Sequence, residues 1–311
     1  MLLERELRAD VEVCRSLLSV GSKSFSLAAR LLPARVRDAA TVLYAFCRVA
    51  DDLVDRDPAA SNETVHALRE RLQRAYAGRP DDTPVDRALS RVVERERVPR
   101  GLLEALLEGL AWDAIGRRYE TLDDLVSYAA RVAGSVGVTM SLVMGARDPS
   151  LLARACDLGV AMQLTNIARD VGEDAAVGRL YLPLEWLRDA GVDWSREATV
   201  PEPRQALVEV IARLLREADV LYARADAGIG GLPRDCRLAI RSARLIYADI
   251  GRLVARAGAR AITERTIVSK WRKLWLVARS LRTPASPPDD LAASPLRPAR
   301  FLLECCTEAA S

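Results

Sequence analysis

Apolar residues recur every three or four positions almost without a break from residue 4 to residue 281, and Leu, Ala, Arg and Glu dominate that stretch. This period lays a hydrophobic stripe along one side of a helix, and most of these residue types lose little side-chain freedom in helical backbone. The spacing predicts helices over 4–19, 24–30, 35–54, 61–77, 84–95, 100–116, 121–144, 149–174, 183–189, 203–227, 233–257 and 264–281. Gly78-Arg79-Pro80, Pro99, Gly145 to Pro149, Gly191 and Gly228 to Pro233 punctuate them, as helix ends require. No alternating pattern of strand length occurs, and no internal repeat. The connections are short, so the expected fold class is all-α, a single domain over residues 1–282. Beyond Arg282 the prolines at 284, 287, 288, 295 and 298 break any helical pattern, and residues 283–311 read as a disordered tail.

Charge and residue usage then exclude several functions. The 46 Lys and Arg nearly balance the 43 Asp and Glu, giving +3, so there is no concentrated basic surface for nucleic acid. His66 is the one histidine among 311 residues, which removes His-rich zinc sites and H-E-x-x-H chemistry. It lies in a polar stretch and reads as a surface residue. The cysteines at 14, 47, 156, 236, 305 and 306 show no CxxC spacing and suit a reducing compartment. The opening residues Met1 to Glu6 are charged within four positions and lack the apolar run of a signal peptide. The longest uncharged stretch, Val132 to Ala146, is interrupted by glycines and shorter than the ~20 residues of a spanning helix. A cytoplasmic protein is expected, soluble or peripherally associated with the cytoplasmic face of a membrane.

Two segments put carboxylates on helices that are otherwise apolar. In Tyr44 to Asp55, Asp51 and Asp55 share a face at i,i+4, with Arg48 one turn earlier. In Gln163 to Asp174, Asn166, Asp170 and Asp174 fall at i, i+4 and i+8, flanked by Leu164, Ile167 and Val171. For either run alone, a solvated face paired with arginine is the competing reading. Two acidic stripes facing each other inside a bundle would repel strongly, and the sequence offers too few cations on those faces to neutralise them. Hard carboxylate and amide oxygens suit Mg²⁺, and Mg²⁺ favours phosphate oxygens as its remaining ligands. The chemistry suggested is metal-assisted departure of diphosphate, leaving a carbocation in an apolar cavity. Asp81-Asp82, Asp123-Asp124 and Asp289-Asp290 serve as internal controls: each lies in a loop or at a helix start and reads as a turn or capping acid.

In these blocks the chain resembles the squalene/phytoene synthase family from about Cys14 to Leu281. Ser22-Lys23-Ser24-Phe25 is similar to the family's N-terminal substrate segment. Tyr44 to Asp55 and Gln163 to Asp174 are similar to its two aspartate-rich motifs. Tyr128 with Val132 to Gly137 resembles its central helix, Gly178 to Pro183 the flap, Ala243 to Tyr247 the late tyrosine helix.

The resemblance implies an isoprenoid synthase-type helical bundle around a central cavity. It implies Mg²⁺, with Mn²⁺ as a substitute, held by Asp51, Asp55, Asn166, Asp170 and Asp174. Asp52 is the weaker ligand, lying about 100° round the helix from Asp51. Arg48, Arg169, Lys23 and Ser22 would contact phosphate oxygens, beside Gly21 and Ser24, while Tyr44, Gln163 and Tyr247 would line the site. Arg179, Tyr181 and Lys270 are phosphate-side candidates that read equally well as exposed cations or a core tyrosine. Gly21 stands where some relatives carry histidine, so a side-chain contact is missing there.

The reaction implied is head-to-head (1'–1) condensation of two prenyl diphosphates. Geranylgeranyl diphosphate is the expected substrate and 15-cis-phytoene the product, by way of a cyclopropyl diphosphate and without NADPH. The late run Ala261 to Lys270 with Lys273-Leu274 looks most like bacterial phytoene synthases. A C15-using relative making squalene, dehydrosqualene or presqualene diphosphate is the alternative, and a non-catalytic scaffold of the same fold the second. Greasy substrates and product imply a peripheral membrane contact and handover to a downstream desaturase; no nucleic-acid partner is expected.

Overall fold

In the computed structural model the chain is described over residues 2–21, 28–56, 61–194, 200, 204–282 and 291–308. Helix follows helix, as the periodicity demands: α1 (Leu2–Gly21), α2 (Ala34–Arg56), α3 (Ser61–Tyr76), α4 (Pro84–Glu96), α5 (Arg100–Ala114), α6 (Leu122–Ala129), α7 (Ser135–Met144), α8 (Pro149–Ala176), α9 (Leu184–Asp189), α10 (Arg204–Ile229), α11 (Arg234–Ala257), α12 (Arg260–Thr263), α13 (Lys270–Ser280) and α14 (Arg300–Glu308). Among the described residues there is no strand.

Local chemistry sets the boundaries. The Thr83 side chain caps α4 ahead of Pro84. Thr121 and Asp124 form a reciprocal capping box on α6, and Asp148 accepts from the amides of Ser150 and Leu151 before Pro149. These caps satisfy amides that have no intrahelical partner. Asp81 pairs with Arg74 and Asp82 with Arg87. Of the control acids, Asp81, Asp82 and Asp124 thus act as turn or capping groups, and Asp289-Asp290 lies outside the described residues.

Long α8 runs through the middle, packed on α10, α11 and α7. Backbones touch there because glycine permits it. A Cβ on Gly137 would lie 2.3 Å from the Ala155 carbonyl oxygen, and one on Gly159 would lie 2.2 Å from that of Ala133. The predicted helix 121–144 is interrupted by a π-helical turn at Ala130–Gly134, an added residue that leaves the apolar pattern intact. The span Leu122–Met144 is long and apolar enough to cross a membrane, yet 67% of its most apolar window is buried in the protein.

Two expectations need correction. Residues 264–269 are not helical; Ser269 caps α13 and accepts from the Arg272 amide. The β-branched run Thr266-Ile267-Val268 favours extended backbone ahead of that cap. The tail is not disordered over residues 291–308: Ala299 and Leu302 are buried, and α14 packs on α5. Pro298 opens a short 3₁₀ turn rather than breaking a helix. The carbonyls of Ala293 and Ser294 accept from Arg154 (3.0 Å) and Arg224 (2.7 Å). Both guanidiniums also meet buried Asp157, at 2.8 and 3.0 Å. Residue 282 is therefore not a structural edge, because the chain beyond it ties into the buried ions of α8.

Candidate active site

An apolar cavity of about 280 Å³ runs beside α8. Its wall follows successive turns of that helix, from Leu151 through Ala155, Leu158 and Met162 to Asn166, a rise of about 22 Å at 1.5 Å per residue. Met140 and Gly137 of α7, Leu43 and Cys47 of α2, and Ile240 and Ala243 of α11 complete it. Tyr44, Gln163 and Tyr247 also line it, as expected for the substrate-contacting set. Arg154 stands at the end remote from the acids.

Both acidic runs lie at the other end. The decisive contact is Arg179, five residues beyond Asp174, whose guanidinium donates to Asp55 at 2.6 Å. That bond ties the second acidic segment to the first. Arg48 pairs with Asp51 at 3.3 Å and Asp52 at 2.6 Å. Arg169 donates to both oxygens of Asp170, while Arg265 reaches Asp170 at 3.5 Å and Glu173 at 3.1 Å. The sequence therefore holds more neutralising cations than its helix faces suggest; Arg179 and Arg265 come from loops. The acids are also less interior than expected. Asp51 and Asp55 are 43% and 45% exposed, so they form the rim of a mouth.

Partial burial still acts on them. Burial, then the neighbouring Asp55 charge, raises the pKa of Asp51. Burial and Asp170 push Asp174 up to about 7. Among the described residues no three acidic, His or Cys side chains already converge on a single ion; guanidiniums sit between the carboxylates. The donor set nevertheless fits a hard divalent cation. All its ligating atoms are oxygens, two of the acids resist ionisation without more positive charge, and Asn166 Oδ1 is buried without a hydrogen-bond partner. An amide oxygen desolvated in this way is costly unless something is to bind it.

Sequence reasoning missed Asp113 of α5. Its carboxylate accepts from Tyr128 Oη and Tyr181 Oη, each at 2.7 Å, and the two rings stack with centroids 5.2 Å apart. Burial raises its pKa to about 6, against the lowering effect of the two hydroxyls. Arg179 and Asp51 lie within electrostatic range, so this triad backs the acidic mouth. Tyr181 is thus a carboxylate donor. Its one available signal was a lone acid in the apolar run Leu110-Ala111-Trp112-Asp113.

A carboxyl that holds its proton more tightly when folded contributes stability at low pH, and that contribution is lost as pH rises through about 6. Asp113→Asn escapes this loss. Relative to wild type, the variant should gain up to about 3 kcal/mol between pH 4 and pH 7, the equivalent of a two-unit shift. Thermal unfolding across that range reads the difference, and a gap independent of pH would remove the assignment.

The remaining expected residues divide simply. Ser22, Lys23 and Ser24 lie outside the described residues, and Gly21 is the last residue of α1. Lys270 is exposed at the start of α13, away from the acids' ion pairs. His66 is exposed and faces Glu70.

Comparison with known proteins identifies the family whose motifs the chain resembles. The squalene/phytoene synthase family model matches residues 18–272. A phytoene synthase of Rhodobacter capsulatus is 55% identical over 277 residues, covering 88% of this chain and 81% of that protein. A 15-cis-phytoene synthase of a Paracoccus species is 42% identical, covering 85% and 90%. Among solved structures, a dehydrosqualene synthase bound to a ligand superposes with a TM-score of 0.82 at 34% identity, covering 89% of this chain and 97% of that one.

Proposed function

The chain belongs to the squalene/phytoene synthase family, and from that premise we propose that it is a prenyltransferase joining two geranylgeranyl diphosphates head to head into 15-cis-phytoene. The observation that carries this reading is the Arg179–Asp55 bridge, which gathers two acidic helices and their arginines at the mouth of an apolar cavity.

Asp51, Asp55, Asn166, Asp170 and Asp174 would hold Mg²⁺ or Mn²⁺. Bound there, the ions supply Lewis-acid neutralisation of the departing diphosphate. Arg48, Arg169, Arg179 and Arg265 now pair with carboxylates; on substrate binding they are free to turn to phosphate oxygens as charge-assisted donors. Tyr44, Gln163 and Tyr247 stand between mouth and cavity and orient the allylic carbon. The apolar wall below excludes water that would quench a carbocation. A cyclopropyl diphosphate then forms by attack of the second substrate's double bond on the allylic cation with loss of a proton. Departure of the remaining diphosphate opens and rearranges the ring, and the resulting cation loses a second proton to give the central conjugated triene. That route balances without a reductant. The same reading has the protein cytoplasmic, in contact with the cytoplasmic face of a membrane, and handing its greasy product to a downstream desaturase.

Purified protein given C20 diphosphate and Mg²⁺, without NADPH, is expected to release diphosphate and form phytoene, and a chelator should abolish both. Turnover of C15 diphosphate alone would overturn the substrate assignment.

A further inference from the structure

We propose that the outward face of α13 docks this protein on an anionic membrane surface. Most helices here turn their apolar stripe inward. On α13 the inner side is held by buried Leu276, by Ser280 bonded to Ser242, and by Arg272 on Asp249. Yet Trp271, Leu274 and Trp275 face solvent at i, i+3 and i+4, with Ala278 and Leu281 continuing the same face. Trp271 is 82% exposed, and Ile267, just before the helix, is 74% exposed. Large aromatics in water are costly unless something covers them.

Charge identifies the cover. Residues 270–282 contain no acid, and Lys270, Arg279 and Arg282 are exposed along them, while Arg272 is held inward by Asp249. Exposed tryptophans among lysines and arginines match the bilayer interface, where amphipathic rings lie at headgroup level and cations meet anionic lipid. A second copy of the chain, presenting the same face across a two-fold axis, would bring like charges together. Position agrees as well. Ile267 follows by two residues Arg265, which is bonded to Asp170 and Glu173 at the mouth. The docking face is thus continuous with the polar entrance, and a prenyl diphosphate lying with its head at the membrane surface would meet the arginines first. The choice of a lipid surface rests in part on the proposed substrate; the exposed stripe and its charge stand without it.

Vesicle flotation of the full chain without substrate tests this. Wild type should bind phosphatidylcholine–phosphatidylglycerol vesicles, bind phosphatidylcholine alone at least about tenfold more weakly, and be released by salt. Trp271→Ser/Trp275→Ser and, separately, Arg279→Glu/Arg282→Glu, both exposed, should each weaken binding at least about tenfold, while Val220→Ser, an exposed apolar residue on α10, should not. In detergent-dispersed substrate the α13 variants should keep wild-type turnover. Wild type that ignores anionic vesicles, or variants that bind like it, would overturn the proposal. So would a dimer that the tryptophan substitutions dissolve. Failure of the wild type to turn over C20 diphosphate in detergent would count against the proposed reaction and leave the binding result standing.

Discussion

Asp170→Ala is expected to lower kcat/KM for diphosphate release at least about 10³-fold, equivalent to about 4 kcal/mol of transition-state stabilisation. The substitution removes an oxygen ligand and also strands Arg169 and Arg265, both of which point at that carboxylate. Asp55→Ala should approach the same loss, because it removes the partner that draws Arg179 across the mouth. Asp52→Ala is the contrast. That acid is paired with Arg48 and turned about 100° away from Asp51, so its loss should stay within about tenfold. Steady-state release of diphosphate ranks the three variants, and an Asp52 effect as large as that of Asp170 would refute the assignment of ligands.

Gly172→Ala should be nearly as damaging, through packing. Gly172 lies between Asp170 and Asp174, and a Cβ there would sit 1.8 Å from the Ile262 carbonyl oxygen. The obstacle is backbone, so it cannot swing aside like a flexible side chain. Either α12 separates from α8 or the second acidic run shifts. The expected cost is about 3 kcal/mol or more, with loss of turnover in whatever remains folded. Gly230→Ala, where the nearest such atom is 3.9 Å away, should be close to neutral. Equal melting temperatures for the two variants would show that this helix contact is looser than described.

Sequence pattern alone revealed the helices because each reports its own periodicity, and the acidic runs because i,i+4 spacing puts Asp51 with Asp55 and Asp170 with Asp174. What escaped was non-local. The Arg179–Asp55 bond joins residues 124 apart. Tyr181 reaches Asp113 from 68 residues away, and the apolar run before Asp113 names neither of the tyrosines it accepts from. The tail was misread for the same reason: its prolines forbid a long helix, but Arg154 and Arg224 bind its carbonyls whatever its composition. The π turn at Ala130–Gly134 left no trace because adding a residue there preserved the run of small and apolar side chains. The start of α13 escaped because the apolar spacing runs through Ser269, the residue that caps it.

The central claim is that acids from α2 and α8 serve one diphosphate site, and a double-mutant cycle on Mg²⁺-dependent diphosphate release tests it most directly. If both carboxylates belong to the same cluster, Asp55→Ala/Asp170→Ala will be about as slow as the worse single variant, because residues acting as one unit are strongly non-additive. A double variant whose loss equals the product of the two single losses would mean that the two acidic turns act independently.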